Sequence, residues 1–157
     1  MKSVINTVYT LEGLERLLSK AKNCDEFSPI VLNKVAIRLK KGMKERSDAI
    51  AIASNQVIED KDVCPAMFLY GSLIACDPSY VIIGKTTHSI EGCLSCRCTH
   101  TVSRGEKIHL ITRFFDTKTK KLSDFYLLEV EGFDATVLQH EIDRLNGKFI
   151  DMVTFEF

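Results

Sequence analysis

Two late stretches of the chain differ in rhythm, and that difference constrains the fold more than any other feature. KIHLITRFFD (107–116) and KLSDFYLLEVEG (121–132) alternate apolar and polar residues around the polar DTKTKK. Alternate side chains of a strand point to opposite faces, so the pattern predicts an antiparallel hairpin with one covered face. GFDATVLQHEIDRLNG (132–147) then moves to a 3.6-residue repeat. It predicts a helix whose buried side carries Phe133, Val137, Leu138, Ile142 and Leu145, with Gly147 in the place of a C-terminal cap. Each apolar face needs a partner, so the late helix is expected to pack on sheet.

The remaining segments complete an α+β arrangement. TLEGLERLLSKA (10–21) places Leu11, Leu14, Leu17 and Leu18 on one face and charges on the other, as a short helix does. Residues 29–46 carry Ile30, Val31, Val35, Ile37, Leu39 and Met43 in a mostly helical rhythm, with Pro29 suited to the first turn. The lysines of that segment read as a solvated face. MFLYGSLIACDP (67–78) and YVIIG (80–84) predict short strands separated by Gly, Asp and Pro. There is no repeat, linker or low-complexity run, so residues 1–157 read as one domain with enough length for a core.

Charge narrows the function. Lys plus Arg and Asp plus Glu are both 21, which gives no electrostatic case for nucleic acid or an anionic membrane as a direct partner. No apolar run reaches the roughly 20 residues of a membrane helix. The start, MKSVINTVYTLEGLERLL, lacks the apolar run and small-residue site of a secretion signal. A cytoplasmic protein with reduced thiols is expected, in which Cys24, Cys64 and Cys76 are small apolar residues. Nothing in the sequence asks for more than a monomer.

Three short segments carry chemistry. They are AIAIASNQV (49–57), EGCLSC (91–96) and QHEIDRLNG (139–147). The last is one residue short of a metal helix. In HExxH, two histidines four apart reach one ion from one face, and the glutamate between them moves protons. Here His140 and Glu141 are present, but the fourth position after His140 is Arg144, and a guanidinium has no lone pair to give a metal.

Together, in this order, the segments resemble the three signature motifs of the peptide deformylases, from about residue 28 onward. EGCLS and QHE-ID-LNG match outside Arg144, while Ala49 and Ala51 stand where the family has glycines. The resemblance implies a deformylase-like α+β fold, with antiparallel sheets packed around the late motif helix. It implies a hydrolase that removes the formyl group from the N-terminal methionine of new polypeptides, on nascent chains near the ribosome. Carried over by motif, Cys93 and His140 are ligands of Fe²⁺ or Zn²⁺, and Glu141 is the acid/base. Gln56 and the Leu94 N–H form the oxyanion site, and Glu91 supports. Ile50, Phe133, Thr136 and Val137 line the methionine pocket. In such a site the metal lowers the pKa of a bound water and the donors stabilise the developing oxyanion.

Arg144 leaves several outcomes open. Cys93 and His140 alone are one protein ligand below the usual catalytic three. A dication about 5 Å from a guanidinium is disfavoured by on the order of several kcal/mol at an effective dielectric near 20. In one outcome Cys96, Cys98 or His100 completes the site and Arg144 swings out to pair with Glu141. Against Cys96, a single strand would turn Cys93 and Cys96 to opposite faces. In a second, the metal is lost, no cofactor remains, and Arg144 fills the hole beside Cys93, Glu141 or Glu91. That leaves a groove for formyl-peptides or nascent chains. In a third, a weakly held metal gives reduced activity. In a fourth, Arg144 activates Cys93 as a nucleophile with His140 as base.

Overall fold

A computed structural model describes residues 3–7, 9–93 and 95–148, with backbone alone at 93, 96–98 and 100. The elements are α1 (Leu11–Leu17), α2 (Pro29–Glu45), β1 (Ala51–Ala53), β2 (Met67–Tyr70), β3 (Leu73–Cys93), β4 (Cys96–Asp116), β5 (Lys121–Leu122), β6 (Tyr126–Glu131) and α3 (Phe133–Leu145). All the strands join one antiparallel sheet in the order β1-β2-β3-β4-β5, with β6 paired to β4. Among the described residues, no helix is long and apolar enough to cross a membrane.

The helices start where the side chains can cap them. Thr10 accepts from the Gly13 N–H to open α1, and Ser28 accepts from the Val31 N–H to open α2, with Pro29 at the first position. At the end of α3 the Gly147 N–H donates to Arg144 O and the Lys148 N–H to Asp143 O, the paired bonds of a Schellman cap. Gly147 has φ +76°, and a Cβ there would lie 2.7 Å from Leu18 O, so this position requires glycine twice over.

Strand alternation builds two cores. Ile52 of β1, Met67 and Leu69 of β2, and Ile74 and Cys76 of β3 face α2, where they meet Leu32, Val35, Ala36 and Leu39. Their neighbours Ala53, Phe68 and Ala75 face α3, where they meet Ala135, Leu138, Ile142 and Leu145. The sheet is therefore covered on both faces, with α3 on the face that carries the site.

Several expectations need correction. The short strands around MFLY and YVIIG are β2 followed by a 21-residue β3 that runs on to Cys93. The turn residues do not end it, because the register shifts between Cys76 and Ser79, and again between Ile83 and Thr86. These bulges absorb Asp77 (φ 50°) with Pro78, and Gly84 (φ 76°). Phe133 is 63% exposed rather than on the buried side of α3. Ile30 and Ile37 point outward from α2, as do Leu11 and Leu18 from the α1 segment. Cys93 and Cys96 are not members of one strand; they are register partners across the β3–β4 hairpin, so the opposite-face argument against Cys96 does not apply.

Candidate functional site

The three segments come together because β1 leads into a 3-10 turn, Ser54–Gln56, while the end of β3 and the helix α3 face it. They enclose a cavity of about 720 Å³, lined by Gln56, Glu91, His140 and Glu141 and by Ile50, Phe133, Thr136 and Val137. The side chains expected from the sequence to act together thus share one space. Cys93 and the replacement ligands Cys96, Cys98 and His100 have side chains outside the described residues, as does all of Leu94. Arg46, Asp48, Ser89 and Thr99 also line the cavity, and no pattern in the sequence had marked them.

Each polar group is held by a second one. Gln56 is buried; its Oε1 accepts from the Ala53 N–H at 2.9 Å and its Nε2 donates to Ser95 Oγ at 3.1 Å. His140 projects from α3 toward β3, where its Nδ1 lies 2.9 Å from Glu91 Oε1. Arg104 of β4 donates from Nε (2.9 Å) and Nη2 (2.8 Å) to the two oxygens of Glu91, a bidentate fork. Its remaining arm, Nη1, donates to Asp143 Oδ2, while Tyr80 Oη donates to Asp143 Oδ1 at 2.9 Å. Arg104 is 3% exposed, so these bonds operate away from bulk water. Sequence reasoning missed Arg104, Asp143 and Tyr80. Asp143 carried a signal, because it follows His140 by three residues and so lies on a neighbouring part of the helix surface.

The electrostatics follow from this packing. Burial pushes Glu91 upward, but hydrogen bonds from His140 and Arg104 and the Arg104 charge outweigh it and hold the carboxyl at about 2. Burial alone would lower Arg104, yet its pairing with Glu91 and Asp143 raises it. Burial, aided by the Asp143 carboxylate, raises Tyr80. Glu141 differs. It is 4% exposed and raised, because burial outweighs the pull of the His140 and Arg144 charges. Its Oε1 is 3.9 Å from His140 Nε2, and its Oε2 has no hydrogen-bond partner among the described residues.

Arg144 decides whether a divalent ion fits. It is 1% exposed and heads the fully buried side chains by size, so it does not swing out to solvent. Its charge acts on Glu141 from inside the fold. A buried guanidinium donates no lone pair and repels a dication. Among the described residues no three His, Cys, Asp or Glu side chains are grouped as metal donors. With Arg144 in the place of the second histidine, the helix does not fit Fe²⁺ or Zn²⁺ held as the metal-helix pattern requires.

Comparison with known proteins places the fold. The family model described as polypeptide deformylase matches residues 7–154. The chain belongs to that family. Peptide deformylase 2 of Rickettsia conorii is 42% identical over 80 residues, 49% of this chain and only 37% of that relative. A peptide deformylase from Legionella pneumophila superposes with TM-score 0.73 at 24% identity, over 97% of this chain and 86% of that one. An actinonin-bound class I type b peptide deformylase from Acinetobacter baumannii gives 0.72 at 21% identity, over 97% and 99%. These two likenesses concern the fold alone.

Proposed function

We propose that this chain is a metal-free deformylase-family protein that binds the N-terminal methionyl end of new polypeptides in its groove and does not hydrolyse a formyl group. Arg144 carries the reading: it stands at the position of the second motif histidine, and it is buried with its charge on Glu141. The pocket side supports binding, because Ile50, Phe133 and Val137 supply apolar wall for one side chain, beside the polar groups of Gln56, His140 and Glu141. Its work lies in the cytoplasm, on nascent chains or their processed ends, with no metal cofactor and no nucleic acid contact. A working deformylase, metal-bound through Cys93 and a replacement ligand, is the outcome that would displace this reading.

The test is metal content by mass spectrometry on anaerobically purified protein, with turnover of formyl-Met-Ala-Ser measured on the same sample. Neither metal nor turnover is expected. Near-stoichiometric metal with turnover overturns the proposal and sends attention to Cys96 and Cys98. Arg144→His returns the missing imidazole and is expected to bring metal into the site. If that variant recovers neither metal nor activity, Arg144 is not the sole cause.

A further inference from the structure

The end of the β3–β4 hairpin gathers cysteines that a metal-free site leaves without a task. Cys93, Cys96 and Cys98 lie between Gly92 and Thr99, which are register partners, are exposed and line the cavity. An unshifted ladder would continue from that rung to Cys93 opposite Cys98. The register shifts instead, and Cys93 pairs with Cys96, with only Leu94 and Ser95 between them in sequence. Paired residues of an antiparallel ladder hold their Cα atoms about 4.5–5.5 Å apart. A disulfide spans Cα atoms about 4.4–6.8 Å apart, so bridging this rung requires no backbone movement. The rung is also held in place. Arg104 forks onto Glu91, two residues before Cys93, and Gln56 Nε2 donates at 3.1 Å to the buried Ser95 Oγ, one residue before Cys96.

From this register we infer that Cys93 and Cys96 form a reversible dithiol–disulfide pair at the edge of the groove, oxidised by a small disulfide of the glutathione type. The inference rests on the metal-free reading above, because an ion on Cys93 would withhold its sulfur. One cysteine thiolate attacks a sulfur of the small disulfide, forms a mixed disulfide and expels a small thiolate. The other cysteine then attacks the protein sulfur of that bond, closes the intramolecular disulfide and expels the second small thiolate. Two protein thiols are oxidised to one disulfide, one small disulfide is reduced to two thiols, and two protons pass to the products. The exposed neighbouring rung, Gly92 with Thr99, gives such a reagent its approach. The ring closed spans only residues 93–96, and a short loop gains little chain-entropy stabilisation, so the fold does not depend on this bond. In a reducing compartment a bond of that kind serves a redox response rather than a structural one.

The test is thiol mapping of the purified full chain after incubation with oxidised glutathione, with metal content read on the same sample. Trypsin cuts after Lys85, Arg97 and Arg104, so Cys93 and Cys96 stay on the peptide 86–97 while Cys98 goes to the peptide 98–104. The 86–97 peptide is expected to become two hydrogens lighter, to retain no glutathione, and to recover both thiols with dithiothreitol. In Cys96→Ser the bond is expected to be lost completely, with a glutathione adduct left on Cys93. Cys98→Ser is expected to leave the bond unchanged. The unsubstituted chain decides the matter even where a variant fails to fold. A peptide 86–97 linked to 98–104 overturns the inference, as does glutathione retained on both cysteines, or two thiols that stay reduced. Any of those results in metal-free protein defeats the inference alone. A metal-bound protein whose Cys93 stays reduced defeats the metal-free reading with it.

Discussion

Both faces of the sheet are covered, and they are filled differently. Beneath α2 the interior holds Leu32, Leu39, Ile52, Met67 and Leu69, with the thiols of Cys24 and Cys76 among them. Beneath α3 an apolar floor of Phe68, Ile108 and Leu138 gives way to Arg104, Arg144, Glu91, Glu141 and Gln139, all buried. The first region needs only shape and volume, and many apolar sets would satisfy it. The second has less tolerance of that kind, because Arg104, Glu91 and Asp143 rely on one another. The comparison teaches where identity is stored. The α2 face specifies that the chain folds; the α3 face specifies what the fold can hold.

The widest gap between the two faces is expected from Arg104→Ala. It leaves Glu91 and Asp143 buried without their guanidinium, and breaking a buried pair in this way costs about 3–5 kcal/mol. The midpoint of urea unfolding reads it. A loss below about 1 kcal/mol would mean that the cluster is wetter than its burial indicates. On the apolar face, Leu39→Ala is expected to cost about 3 kcal/mol, within the range for deleting a buried leucine side chain. Urea titration of both variants sets the faces side by side. The comparison breaks if Leu39→Ala proves the more damaging by a clear margin.

A smaller effect, at a buried thiol outside both clusters, is read by pH. Burial pushes the Cys64 thiol up to about 11, the Ser54 hydrogen bond opposing this only in part. A raised folded pKa means that stability is intact below the unfolded value of 9.0 and is lost as pH rises toward the folded one. Between neutrality and pH 10.5 the native state should lose about 2 kcal/mol through this group. Cys64→Ala should lose correspondingly less over the same interval, whatever its stability at pH 7. Parallel declines in the two proteins would show that this thiol ionises as easily folded as unfolded.

How much of this was legible in the sequence follows the same division. The periodicities placed α2, the β4–β6 pairing and α3, because a period of 2 or 3.6 is a local property. They failed at β3, where Asp77 with Pro78 and Gly84 look like stops but sit in bulges that only a paired neighbour creates. Gln56, His140 and Glu141 were legible as members of short quoted motifs, and they do share the cavity. Arg104 was not. It lies upstream of the stretch whose alternation predicts a strand, and its partners come from β3 and α3. A charged residue in a mixed segment reads as exposed until three separate elements close around it. Phe133 errs the other way: its apolar side chain was assigned to the helix's buried face, yet it stands at the cavity wall, exposed.

The smallest predicted effect tests whether burial or charge makes the α3 face demanding. Lys85 Nζ lies 3.6 Å from Glu106 Oε2, with the lysine side chain 81% exposed. The chemistry is that of Arg104 with Glu91, a cation and a carboxylate on neighbouring strands, but water screens it and both long side chains lose freedom to meet. Lys85→Ala is expected to change stability by less than about 0.5 kcal/mol in either direction. Urea unfolding at low and high salt is the measurement, and the two conditions should agree within error. Should Lys85→Ala approach the cost of Arg104→Ala, ionic pairing itself would be the source of that cost. The contrast between the two faces would then reduce to a difference in composition. If the small value holds, a pair on the same two strands differs from Arg104–Glu91 in its access to water and in lacking the bidentate fork. Burial together with the fork is then what turns an ion pair into the part of this fold that cannot be exchanged.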